Sequence, residues 1–184
     1  MSFDCNLIQS GIGSCTDKTS KGYTQRALIG NRAHVDTLTY DTTTALITAL
    51  TMGGSTPMYE VWLTSTKPFE EFKVTAEDKK FGKLFKNEIT LWIKGLTPTS
   101  VQHVNVLSKG EFFMGLEQRG AAIPEKYIFI GLQSSLVATA MEWNQAEGAW
   151  SVVLTEDMCD GSGLFLYTGS AGATTETTWD NLVL

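Results

Sequence analysis

Three cysteines, two histidines and four prolines are spread over 184 residues, and charged side chains make up only 18% of the chain. Each shortage closes off some chemistry. Cys5, Cys15 and Cys159, with His34 and His103, supply few metal ligands, and no zinc-ribbon spacing, C-x-x-C pair or H-E-x-x-H helix is present. Cys5 and Cys15 could form a bridge across a short loop. However, the opening Met1-Ser-Phe-Asp-Cys5 has neither the basic region nor the apolar stretch of a secretory signal, so reduced thiols in a soluble, cytoplasmically made protein are expected. No apolar run approaches the roughly 18 residues of a membrane-spanning helix, so no membrane partner is expected. Cations are in the minority: 14 Lys and Arg against 20 Asp and Glu leave a net charge of −6. A pI near 4.9 argues against gripping phosphate backbones, though not against passive contact with nucleic acid.

Apolar and β-branched residues are plentiful. At 42% hydrophobic, spread along the whole length, the chain can fill the core of one ordinary domain over residues 1–184, burying about 70% of its unfolded surface. Threonine occurs 24 times, dense up to Thr99 and again at the C-terminus, and β-branched side chains favour a pleated backbone. The clearest strand runs from Phe81 to Gly95. Its odd positions are mostly apolar (Phe81, Lys83, Phe85, Asn87, Ile89, Leu91, Ile93) and its even positions mostly polar, the period of a half-buried strand. Its length predicts a bend near Asn87 or an extension beyond the body of the domain.

A hairpin is predicted from Ser135–Trp143 and Ala149–Thr155, joined by Asn144-Gln-Ala-Glu-Gly148, with Trp143 and Trp150 paired across it. Shorter strands are expected at Ala27–Gly30, Val35–Tyr40, Ala45–Met52, Met58–Thr64, Phe69–Thr75, Glu111–Glu117, Tyr127–Leu132 and Leu164–Thr168. One helix is predicted, with Thr97 as N-cap, Pro98 in the first turn, Val101, Val104 and Leu107 as its apolar stripe, and Gly110 as its stop. His103 lies off that stripe and is expected in solvent. The fold class is therefore mainly β: two packed antiparallel sheets, as a sandwich or barrel, with one short amphipathic helix and extended arms.

Catalytic fragments are weak. Gly11-Ile-Gly13-Ser-Cys15-Thr lacks the Lys-Ser/Thr of a phosphate loop, and Gly161-Ser-Gly163 lacks the flanks of a nucleophile elbow, so both read as turns. His34-Val-Asp36 places two potential ligands on one strand face without a third, and Asp157-Met-Cys-Asp160-Gly departs from a calcium loop. Glu70-Glu71 and Glu77-Asp78 are adjacent pairs, which an extended backbone points to opposite faces. No enzyme activity, cofactor or resident metal is expected.

Three segments fit poorly into a closed domain. Residues 1–22 form a Gly-, Ser- and Thr-rich N-terminal arm with Leu7 and Ile8 as its main apolar content. Residues 65–80 carry four lysines and four acids around Phe69, Phe72 and Val74, and read as a charged loop or hairpin arm. Residues 174–184 end in Trp179, Leu182, Val183 and Leu184, and an apolar chain end frays unless it docks. Strand addition to a neighbouring copy would cover such segments and pair an exposed sheet edge. The candidate subunit-interface residues are Leu7, Ile8, Lys67, Phe69, Glu70, Glu71, Phe72, Asp78, Lys79, Lys80, Trp179, Leu182, Val183 and Leu184.

This order resembles the tail-tube, or major tail, proteins of tailed bacteriophages, especially those of Bacteroidetes phages and prophages. The resemblance rests on Cys5-Asn-Leu-Ile with a second cysteine and Gly22 downstream, on Gly30-Asn-Arg-Ala-His-Val35, on Ile47-Thr-Ala-Leu50, on Phe85-Lys-Asn-Glu-Ile89 and on the single helix that follows. It implies a virion structural protein, assembled in the bacterial cytoplasm into hexameric rings that stack into a tube. Its partners would be further copies of itself, other tail and neck proteins, and DNA passing without specific binding. An acidic lumen would repel DNA phosphates. The rival readings are a tail-completion or connector ring, a head decoration protein, or, in another class, a carbohydrate-binding adhesin whose Trp62, Trp92, Trp143, Trp150 or Trp179 stack on sugars.

Overall fold

A computed structural model describes residues 23–41, 43–53, 57–62, 72–80, 82–118, 126–159 and 162–167, together with Trp179 and Leu182. Its strands are β1 (Tyr23–Asn31), β2 (Val35–Asp41), β3 (Leu46–Met52), β4 (Tyr59–Trp62), β5 (Lys73–Lys79) and β6 (Gly82–Lys94). After the helix α1 (Pro98–Leu107) come β7 (Phe112–Gln118), β8 (Tyr127–Ile130), β9 (Val137–Asn144), β10 (Ala149–Cys159) and β11 (Phe165–Tyr167). They form a seven-stranded sheet ordered β2-β3-β11-β8-β7-β1-β4 and a four-stranded sheet ordered β5-β6-β10-β9. Among the described residues the expected two packed sheets flanked by a helix are what forms, an open sandwich and not a closed barrel. Pairing is antiparallel except between β11 and β3, which run parallel.

Period-2 alternation builds two cores on opposite sides of the larger sheet. Met114, Leu116, Ile128 and Ile130 enter the layer between the sheets, where they meet Ile89, Leu91, Val152 and Leu154 from β6 and β10, and Val104 and Leu107 from α1. Their neighbours Phe113, Tyr127 and Phe129 point the other way and pack with Ile47, Phe165, Tyr167, Trp179 and Leu182. β7 from Phe112 to Leu116 and all of β8 are consequently buried on both faces, which explains why those strands read as continuous apolar runs rather than alternating ones.

The helix starts as its sequence predicts. Thr97 Oγ1 accepts from the Ser100 amide at 3.1 Å, Ser100 Oγ accepts from the Thr97 amide at 2.9 Å, and Pro98 occupies the first turn. Its buried stripe differs from the expected one: Ser100, Val104 and Leu107 face inward, whereas Val101 is partly exposed. At about 100° per residue the first three fall within roughly 60° of arc, and Val101 lies a further ~60° round. Ser100 is tolerated inside because its hydroxyl donates to Gly95 O at 2.8 Å.

Several expected boundaries shift. The strand expected to end at Thr75 continues to Lys79, because β5 pairs residue for residue with β6 from Lys73↔Glu88 to Lys79↔Gly82; the expected start at Phe69–Glu71 lies outside the described residues. His34 sits in a short 3-10 turn, Arg32–His34, not on the strand that follows. Ala45, expected to open β3, instead closes a turn with φ 55°, its amide donating to Asp41 O at 2.8 Å. In that turn the Thr43 amide donates to Asp41 Oδ1 at 2.8 Å. This bond, and the Thr44 hydroxyl after it, hold the Asp41 carboxyl below its ordinary 3.8.

Candidate functional site

β6, at 13 residues, is the longest of the described strands, and its two ends define the surfaces of interest. At its C-terminal end, Leu91–Lys94 borders a groove of about 630 Å³. The other walls are the end of β1 (Ile29, Gly30, Asn31), the outermost strand β4 (Tyr59, Glu60, Val61), one face of α1 (His103, Val106, Leu107) and Phe112. The floor is apolar. The rim carries Tyr59 at 58% and Val106 at 53% exposure, with Trp92 also part-exposed. Among its polar groups Glu60 is engaged by Arg26, whose Nε donates to Glu60 Oε1 at 2.8 Å. Lys94 and His103 remain as exposed basic groups. The groove thus offers apolar contact area with a lightly basic edge, a size suited to ligands or protruding side chains. Sequence reading placed His103 in solvent, where it is, but did not anticipate the groove, which is assembled from five separated elements.

At the other end, β5 and the first half of β6 form a hairpin in which Lys73 through Asp78 are all exposed. Pairing puts Val74 opposite Asn87 and Ala76 opposite Phe85, and Glu77 opposite Leu84 on the reverse face. Glu77 and Asp78 thus point apart, as expected of neighbours on a strand. The long strand is irregular near Asn87, where its partner β10 shifts register between Glu156 and Cys159.

The candidate interface residues separate into groups. Leu7, Ile8, Lys67, Phe69, Glu70, Glu71, Val183 and Leu184 lie outside the described residues. Phe72 is half-buried against the inter-sheet core, Asp78 and Lys80 are exposed on the hairpin, and Lys79 ends β5. Trp179 and Leu182 correct the expectation of a loose C-terminal arm awaiting a neighbour. Trp179 is fully buried in its own chain, its ring stacked on Tyr127 at 4.4 Å, and Leu182 O accepts from the Met58 amide at 2.8 Å. The large sheet's second apolar face needed a cover, and this segment supplies it. Gly115 makes the space: a Cβ there would fall 2.5 Å from the Trp179 ring.

Among the described tryptophan side chains no flat exposed pair of the kind that sugar stacking requires is found, Trp92 being 37% exposed on the groove rim. Trp143 and Trp150 do face each other across the β9–β10 hairpin, but tilted by 57° and partly buried, and Trp179 is internal. The side chain of Trp62 lies outside the described set.

Sequence reading missed Glu156. Its buried carboxylate accepts from the Gly131 amide (2.8 Å), the Gln133 amide (3.0 Å), the Ser134 amide (3.1 Å) and Asn87 Nδ2 (3.0 Å). It joins β10 of one sheet to the loop leaving β8 of the other, a loop also held by Arg32 Nη2 donating to Leu132 O at 3.1 Å. With its acceptor positions filled by this chain, Glu156 is a structural tie. No group of three or more His, Cys, Asp or Glu among the described residues could hold a metal ion, and no described helix is long and apolar enough to cross a membrane. Ser162 Oγ accepts from the Leu164 amide at 3.3 Å, in a turn at Ser162. No protein family, curated protein or solved structure matches this chain.

Proposed function

We propose that this chain is a self-assembling virion structural protein, one subunit of the stacked rings of a bacteriophage tail tube. The observation that carries the reading is β5, the outermost described strand of the smaller sheet, whose residues from Lys73 to Asp78 are exposed, Val74 and Ala76 among them. An exposed edge strand invites pairing with another chain, and a neighbour that covers it is the best explanation of apolar Val74 and Ala76 in solvent. The open apolar groove adds a second surface of the same kind, and the tail-tube resemblance of the sequence supplies the type of assembly. A closed ring repeats one heterologous contact around an axis, and a second contact between rings extends it into a tube. The net charge of −6 suits a lumen that lets DNA slide past.

Negative-stain microscopy of the purified chain tests this. Long tubes of uniform diameter are the expected outcome. Isolated rings would replace the tube with a connector, and persistent monomers at high concentration would overturn both.

A further inference from the structure

The groove at the C-terminal end of β6 differs in chemistry from the exposed edge at β5. β5 pairs with β6 only as far as Lys73↔Glu88, whereas β6 runs on to Lys94. Its last residues, Trp92 to Lys94, therefore border the groove along an edge that has no strand beside it among the described residues. The main chain there has a fixed direction. The Gly95 amide donates to Gly148 O at 2.8 Å, which turns the N–H and C=O groups of the odd-numbered residues toward β10 and those of Trp92 and Lys94 toward the free edge. Charge in the groove is one-sided as well. Glu60, the one carboxylate among its lining residues, is held by Arg26 at 2.7 Å. Lys94 from β6 and His103 from α1 reach the same groove with no acidic partner among the described residues. Between these polar groups the floor is Leu91, Ile93, Leu107 and Phe112.

We propose that this groove binds a small amphipathic carboxylate, its acyl chain on the apolar floor and its head group at Lys94 and His103. An apolar trough with free main-chain donors and uncompensated base on one lip suits an apolar body that ends in a single negative group. Leu91 to Lys94 spans roughly 10 Å of strand, which sets the chain at about eight to ten carbons. A cationic head would meet Lys94 at close range, and a neutral one would leave its charge unanswered. The site goes beyond the self-assembly reading and does not rest on it, since a free monomer carries the whole groove.

Titration calorimetry of the full-length chain with decanoate, kept below its micelle concentration, tests this. Saturable one-to-one binding is expected, with decyltrimethylammonium, the same chain length carrying a cation, about tenfold weaker or worse. Lys94→Gln combined with His103→Gln should weaken decanoate about tenfold and leave decanol unchanged. Both side chains are exposed, so the melting curve should not move. Val106→Glu, at a rim position 53% exposed, checks the place independently: a carboxylate there should repel decanoate. Absence of saturable binding, equal affinity for the cationic chain, or folded variants that bind decanoate like the wild type would each overturn the site. Decanoate released as copies associate at higher concentration would give the groove to a second copy, overturning the ligand and leaving self-assembly standing. A chain that binds decanoate yet never associates would support this site while removing the assembly reading.

Discussion

Glu156 shows how one side chain can tie two sheets together. Each of its oxygens accepts two N–H groups: Oε2 from Asn87 and Gly131, Oε1 from Gln133 and Ser134. Gly131 is part of the same device. Its φ of +82° and the 2.8 Å that would separate a Cβ from Phe112 O leave room only for glycine. Glu156→Gln turns one oxygen into a donor and sets it against two amides. The expected loss is roughly 2–5 kcal/mol, because two buried donors then lack acceptors. A lower urea midpoint at unchanged slope would record it, and an unchanged midpoint would show that the loop does not depend on this carboxylate. A buried Glu following Leu154 and Thr155 on a strand is visible in the sequence as a break in pattern, but its donors come from positions 22 to 69 residues away.

Among the elements, the C-terminal segment changed most in meaning. Its apolar residues mark it as a segment that must dock, and that much follows from composition. Where it docks depends on the second apolar face of the seven-stranded sheet, which exists because Phe113, Tyr127 and Phe129 alternate with Met114, Ile128 and Ile130. A chain ending at residue 178 would expose that aromatic face. It should lose roughly 3–5 kcal/mol, the range for removing a buried Trp side chain, and bind a hydrophobic dye while still monomeric. Calorimetry showing the same melting temperature would contradict the docking. The helix shows the opposite balance: a Thr97 cap and Pro98 are local signals, and they form where they are read. The extension of β5 to Lys79 was hidden for the opposite reason, since a strand rich in charge is held by pairing with β6 and not by burial.

For the whole molecule, if the proposed tail-tube reading holds, the excess of acid over base bears on passage of DNA. Tubes of this protein should not retain duplex DNA even at ~50 mM salt, where phosphate contacts are strong. Co-sedimentation of DNA with the tubes under that condition would sink the acidic-lumen mechanism without touching the assembly. The sequence by itself determined the class of fold, helix α1 and its cap, the Trp143–Trp150 hairpin and the two faces of β6, because alternation, capping and turn chemistry act over a few residues. Only the tertiary structure decided that Trp179 and Leu182 belong to their own core, that Glu156 bridges the sheets, and that β1, β4, β6, α1 and Phe112 enclose a groove at the C-terminal end of β6. Those outcomes depend on which distant strands become neighbours, and that choice is made by burying two apolar faces of one sheet at once.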